Sequence, residues 1–271
     1  MTDSQFRPRL SKKEYHLIKR YRGEDANNRE KSAVVLGCVH VPFHNRELID
    51  KVIKLIRDTK PDEIILNGDF VDCNALSDYE RGKVSKTNVT LEEEYEEANK
   101  VLDRMEKASP NSKIVYLFGN HEERYFRWKA DVNNSKYGDM LNPVKALGLE
   151  ERGAKVITDY KKGYHMFGDL EIMHGEYHNI HVAKKHLETF HSNVLFAHTH
   201  RVQTYREGKT CAYNMGWLGD KNAPAFSYAP RGMMSKWAEA FAFLNMDSYG
   251  KTHVNMIECA NNSFYFGGMK Y

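Results

Sequence analysis

The sequence predicts an α/β protein of two packed, mixed β-sheets flanked by helices. From Ser32 onward, short apolar runs alternate with charged, amphipathic segments, and the second half of the chain holds more of the short runs. Histidines, aspartates and an asparagine recur just past the ends of these runs. Open α/β sheets gather their sites at that carboxyl edge.

Taken in order, Ser32 to Val39 (SAVVLGCV) reads as a buried strand and Arg46 to Thr59 as an amphipathic helix. Glu63 to Leu66 is a second strand that opens onto Asn67-Gly68-Asp69. Thr90 to Lys107 places Leu91, Tyr95, Ala98, Leu102 and Met105 at helical spacing, Lys113 to Phe118 is the next strand, and a helix starts near Glu122. Further strands are expected at Lys155 to Ile157, Leu170 to Met173, Val194 to Ala197, Val202 to Arg206, Thr210 to Tyr213, Ala240 to Asn245 and His253 to Glu258. The aromatic-rich segment from Gly216 to Tyr271 completes the second sheet, with Ala223 to Met234 as a loop beside the cleft.

At 271 residues and 41% hydrophobic, the chain can bury one sizeable core, expected over residues 32–271. Residues 1–31 carry nine Lys/Arg against five Asp/Glu and read as a basic N-terminal arm, either solvated or in contact with a polyanion such as nucleic acid. The formal charge of +3 is too small to select a substrate. Cys38, Cys73, Cys211 and Cys259 form no CxxC pair, which argues against both a disulfide framework and a zinc ribbon. No apolar run approaches the ~18 residues of a membrane span. A soluble, cytoplasmic protein without a membrane partner is therefore expected.

Five strand endings carry the chemistry: Cys38-Val39-His40, Gly68-Asp69 with Asp72 behind it, Gly119-Asn120-His121-Glu122, His174-Gly175, and His198-Thr199-His200. Imidazole, carboxylate and amide oxygen together suit a borderline-hard divalent cation. Residues two apart on a strand share a face, which makes His198 and His200 neighbours.

In this order the motifs resemble those of the calcineurin-like metallophosphoesterases, D-x-H, G-D, G-N-H-[DE], a lone His and G-H-x-H, over Val34 to Arg201. The runs VPFHN, GDFVD, GNHEER and HGE look similar to members found in phages and prophages, which would place the protein in a host cytoplasm. The resemblance implies a sandwich fold and two divalent metal ions, manganese, iron or zinc. It implies that Asp69 bridges them, with His40 and His200 on the first and Asn120, His174 and His198 on the second. A metal-bound hydroxide is the expected nucleophile, and His121 is expected to protonate the leaving alkoxide or bind a phosphoryl oxygen. Arg124 either lies against a phosphate oxygen or is a solvated arginine on a helix face. Asp72 either orients a ligand histidine or caps a turn.

Two positions depart from the family pattern. Cys38 stands where the family has an aspartate ligand, and is either a thiolate ligand favouring softer metals or a buried apolar cysteine. Ala197 stands where the family has glycine. His44 is a candidate substrate contact at the pocket mouth, weighed against a helix-cap role for its neighbour Asn45, and His178 and His181, outside the metal set, either reach the pocket rim or mark the start of a helix. Tyr125, Phe126, Trp128 and Tyr177 either stack bases or pack a helix. The expected function is hydrolysis of a phosphomonoester or phosphodiester, with nucleotide or nucleic acid preferred. The alternatives are a protein phosphatase and an inactive phosphate-binding scaffold.

Overall fold

The computed structural model describes residues 30–77, 87–137 and 139–271. The basic arm expected over residues 1–31 lies outside them, apart from Glu30 and Lys31. The strands are β1 (Lys31–Leu36), β2 (Glu63–Asn67), β3 (Lys113–Leu117), β4 (Lys155–Ile157), β5 (His165–Phe167), β6 (Leu170–Ile172), β7 (Asn193–Phe196), β8 (Val202–Glu207), β9 (Thr210–Met215), β10 (Ala240–Met246), β11 (Thr252–Glu258), β12 (Tyr265–Phe266) and β13 (Met269–Lys270). The main helices are α1 (Arg46–Thr59), α2 (Leu91–Ala108), α3 (Glu123–Ala130), α4 (Pro143–Ala146), α5 (Val182–Phe190) and α6 (Arg231–Met234).

Two mixed sheets result, as expected, but the segment from Gly216 to Tyr271 does not complete the second: β10 and β11 extend the first sheet by pairing beside β1, and β12 and β13 form a separate two-stranded pair. One runs β11-β10-β1-β2-β3-β4, with β1 to β4 parallel and β10 and β11 antiparallel; the other runs β5-β6-β7-β9-β8. The strand pleat divides each central strand between two cores. Ala33 and Val35 of β1, Ile65 of β2, and Val115 and Leu117 of β3 point at the second sheet, where they meet Phe167, Leu170, Ile172, Leu195 and Met215. Val34 and Leu36, Ile64 and Leu66, and Ile114 and Tyr116 point the other way, against Leu48, Val52 and Ile56 of α1 and Val101, Leu102 and Met105 of α2. Burial on both faces explains why these strands read as continuous apolar runs rather than alternating ones. A third cluster seals α5 onto the outer face of the second sheet through Val182, Leu187, Val194 and Phe196.

The helices begin where their caps dictate. Asn45 accepts the Leu48 N–H to start α1, and Thr90 and Glu93 form a reciprocal capping box at the head of α2. Such caps contribute about 1 kcal/mol each. β1 stops at Leu36 rather than Val39, because Cys38 turns into the left-handed region at φ 50°. The helix start read as one alternative for His178 and His181 is present as α5, which begins directly after His181, whereas the short strand β5 was not anticipated from the sequence.

Candidate metal centre

Strands β1, β2 and β3 are parallel, so their carboxyl ends deliver Cys38 and His40, Asp69, and Asn120 and His121 to one edge. Strands β6 and β7, also parallel, deliver His174, and His198 with His200. Backbone bonds stitch the loops together: Cys38 N–H to Gly68 O, His40 N–H to Asp69 O, and Ala197 N–H to His174 O, all within 3.0 Å. Of ten described non-glycine residues with positive φ, five are Cys38, His40, Asp69, His198 and His200. Strained backbone gathered this way is characteristic of functional sites.

Glycine is required beside them. A Cβ on Gly68 would lie 2.2 Å from His174 Nδ1, and one on Gly119 would lie 2.1 Å from Asp69 Oδ1. The alanine at 197 is accommodated by Gly37, where an added Cβ would meet the Ala197 Cβ at 2.6 Å.

Two histidines are locked in one tautomer. His40 Nδ1 donates to Asp72 Oδ2 at 2.9 Å, and His174 Nδ1 donates to the Asn67 carbonyl at 3.0 Å. Each therefore aims the Nε2 lone pair inward. His40 Nε2 lies 3.1 Å from His200 Nε2; His174 Nε2 lies 3.1 Å from Asn120 Oδ1, 3.2 Å from Asp69 Oδ2 and 3.2 Å from His198 Nδ1. The donor atoms of Cys38, His40 and His200 all lie within 4.8 Å of one another, as do those of Cys38, Asp69 and His174. All seven expected ligands thus converge on one spot.

The charge states suit cation binding. Burial holds His40, His198 and His200 below the ordinary imidazole range, so their lone pairs are free near neutrality. Burial opposes ionisation of Asp69, but His174 and His121 outweigh it and keep the carboxyl well below its usual range. Burial would lower His174 as well, yet contact with Asp69 raises it. Burial and the nearby Asp69 charge push the Cys38 thiol well up. A thiol, four imidazoles, a carboxylate and an amide oxygen on a small buried surface make a fitting donor set for borderline divalent ions.

His121 sits beside this set, its ring 4.6 Å from that of His40, with its backbone N–H on Asp69 Oδ1. Its Nδ1 donates to the Asp72 carbonyl at 2.7 Å, and its Nε2 accepts from Arg124 at 3.2 Å. Arg124 also donates to the Asp72 carbonyl at 2.9 Å, so it is not a solvated arginine on a helix face. Two residues depart from the expected placement. His44 is 5% exposed and its backbone is bridged to Gly219, which buries it instead of presenting it at the mouth. His178, left outside the metal set, does reach the centre: its Nε2 lies 3.0 Å from His198 Nε2.

Other residues escaped the sequence reading. Glu122 is fully buried, and its carboxylate accepts the N–H groups of Asp69, Phe70, Val71 and Gly119 and the Tyr116 hydroxyl. The signal was present in its place within Gly119-Asn120-His121-Glu122. Trp217 stacks on His200 at 4.7 Å, and Phe226 meets His40 edge-on at 5.3 Å. The expected loop at Ala223 to Met234 therefore walls the site through Phe226.

The family profile of the calcineurin-like phosphoesterases matches residues 32–238. The Gene 54 protein of Mycobacterium phage D29 is 22% identical over 231 residues, 80% of this chain and 89% of that protein; its counterpart in phage L5 is 21% identical over the same shares. Among solved structures, Entamoeba histolytica Vps29 complexed with zinc superposes with a TM-score of 0.45 at 10% identity, covering 89% of this chain and 96% of that one. YfcE, a phosphoesterase from E. coli, gives 0.39 at 12% identity, covering 79% and 87%. With the profile spanning most of the 271 residues, and its strand ends carrying the ligand set just described, the chain belongs to the calcineurin-like phosphoesterase family.

Proposed function

We propose that the chain is a hydrolase of phosphomonoesters or phosphodiesters that works with two divalent cations, manganese, iron or zinc. One observation carries this reading: Asp72 and the Asn67 carbonyl hold His40 and His174 in the tautomer that turns both Nε2 lone pairs into the centre, that of His40 toward His200 and that of His174 toward Asp69. A buried site with no use for cations has no physical need of that arrangement. His40, His200, Cys38 and Asp69 would hold one cation, and Asn120, His174, His198 and Asp69 the other. When bound, the pair would acidify a water and draw charge from a phosphoryl group.

The chain's own residues supply the rest. Glu122 fixes the Asp69 loop by accepting three consecutive backbone N–H groups, so that the shared carboxylate is placed before any ion arrives. His121, next to the ligand Asn120, is in place to give a proton to the departing oxygen through Nε2. It does so as the imidazolium, once Arg124, which now donates to that nitrogen, swings onto a phosphate oxygen and Nε2 takes up a proton from water. Trp217 and Phe226 exclude water from the His40 and His200 side.

Nucleotide or nucleic-acid phosphate is the substrate class we favour. Support comes from α3, which begins at the site: Phe126 is 38% exposed there, and Arg127 reaches to 3.5 Å from the Asn120 carbonyl. Likeness to phage proteins agrees with it, as does the basic arm read from the sequence, a candidate contact for nucleic acid. Action in a host cytoplasm belongs to the same reading. The test is hydrolysis of a model diester, a model monoester, short oligonucleotides and a phosphopeptide by metal-loaded protein. Faster turnover of the phosphopeptide would make it a protein phosphatase, and tight binding without turnover a phosphate-binding scaffold.

A further inference from the structure

We propose that the Cys38 sulfur is a ligand shared by both halves of the metal centre, and that it biases the chain toward soft divalent ions. The inference deepens the proposed function, resting on its two-cation site.

Cys38 is the one residue common to both donor groupings. Its Sγ lies within 4.8 Å of the ring nitrogens of His40 and His200, and within 4.8 Å of the Asp69 oxygen and His174 nitrogen. Asp69 alone was expected to join the two halves; the structure sets a second donor, the Cys38 thiol, at the same junction. The sulfur is fully buried, and no other cysteine is paired with it, since Cys38 and the remaining three are all free thiols. It accepts a hydrogen bond from the His198 backbone N–H at 3.1 Å, which places it against the loop that carries His198 and His200.

The geometry permits sharing. Metal–thiolate bonds of ~2.3 Å and a metal–metal separation of ~3.5–4 Å close a triangle with an angle at sulfur of roughly 100–120°. Sulfur has the lone pairs to serve two ions at once. On loading, the thiol proton leaves to solvent, and the negative charge that an aspartate would bring is kept. What changes is softness: thiolate with imidazole selects zinc, iron(II), cobalt or cadmium over magnesium and manganese.

The experiment uses the full chain loaded to two zinc ions and read by X-ray absorption. A shared sulfur gives an average of one sulfur per zinc at ~2.3 Å. Half a sulfur per zinc would show Cys38 on one ion only and overturn the sharing; none would overturn ligation altogether. Cobalt(II) loading checks the same point optically, with a near-ultraviolet thiolate-to-cobalt band expected in the unaltered chain and absent in Cys38→Ser. Cys38→Asp should still take up two ions, while its preference for zinc over manganese falls at least about tenfold. An unchanged preference would count against the proposal. Hydrolysis is assayed separately: sulfur-bound zinc without turnover sinks the proposed function alone, and turnover without sulfur on zinc sinks this inference alone.

Discussion

Glu122 carries Asp69 on its carboxylate: Oε2 accepts the Asp69 backbone N–H at 3.0 Å while Oε1 accepts those of Phe70 and Val71 at 2.8 and 3.1 Å. Burial and the charge of Asp69 raise the Glu122 carboxyl above its ordinary range, so the arrangement is held against a cost that five hydrogen bonds offset.

Glu122→Gln replaces one of those acceptors by an NH2 group that faces backbone donors. Leaving buried N–H groups unpaired costs about 1–3 kcal/mol each, so the variant should lose about 2–4 kcal/mol in urea unfolding and bind zinc more weakly. An unchanged midpoint would show that the loop keeps its shape unaided.

Asp72 acts through His40. Asp72→Asn weakens the hold on Nδ1–H and should lower affinity for one of the two ions by roughly 10–100-fold, while the other stays within a few-fold. Calorimetric zinc titration resolves the two. Equal loss at both ions would mean that the loop, rather than the tautomer, is what Asp72 secures.

Burial pushes both His44 and His186 down to about 4. His186 is satisfied as the neutral form, with Nδ1 donating to the Val182 carbonyl and Nε2 accepting from the Glu176 N–H. A depressed imidazole pKa means that the unfolded chain binds the proton first. Stability is therefore full above pH ~6.5 and falls toward pH 4, by about 3 kcal/mol per histidine at the limit. His186→Phe, which keeps the stack on Phe196, should flatten that fall relative to the unaltered chain in urea melts at pH 7 and 4.5.

Glu94 has the opposite sign. Buried beneath Asn74 and Ala75, whose N–H groups it accepts, it is raised to about 8. The folded state keeps a proton that the unfolded chain loses above pH ~4.5, so its contribution declines from there up to pH 8. Glu94→Gln should therefore show a smaller loss of stability between pH 6 and 8. An identical slope in both proteins would contradict a protonated Glu94.

The fold was legible where elements are long or buried on both faces. Helix α1 has the bounds that its apolar spacing gives, and the central strands show as VVL, IIL and IVYL. Strand β5 is three residues, too short for a period, and α5 buries His186 among its apolar residues, which blurs its face so that only a start near His181 could be read. The positions that converge at the centre were legible because each ends an apolar run. Glu122, Asn67 and Trp217 were not, since their roles depend on loops brought together from distant parts of the chain. Arg124 could be placed on a helix face but not turned inward, because Asp72 lies 52 residues earlier.

The central claim is tested most directly by purifying the protein without chelator, counting bound metals by elemental mass spectrometry, and assaying a model phosphodiester and monoester with manganese, zinc or iron(II), beside Asp69→Asn. The account predicts two ions per chain and hydrolysis that Asp69→Asn abolishes. Two ions without turnover, or turnover that survives Asp69→Asn, would contradict it.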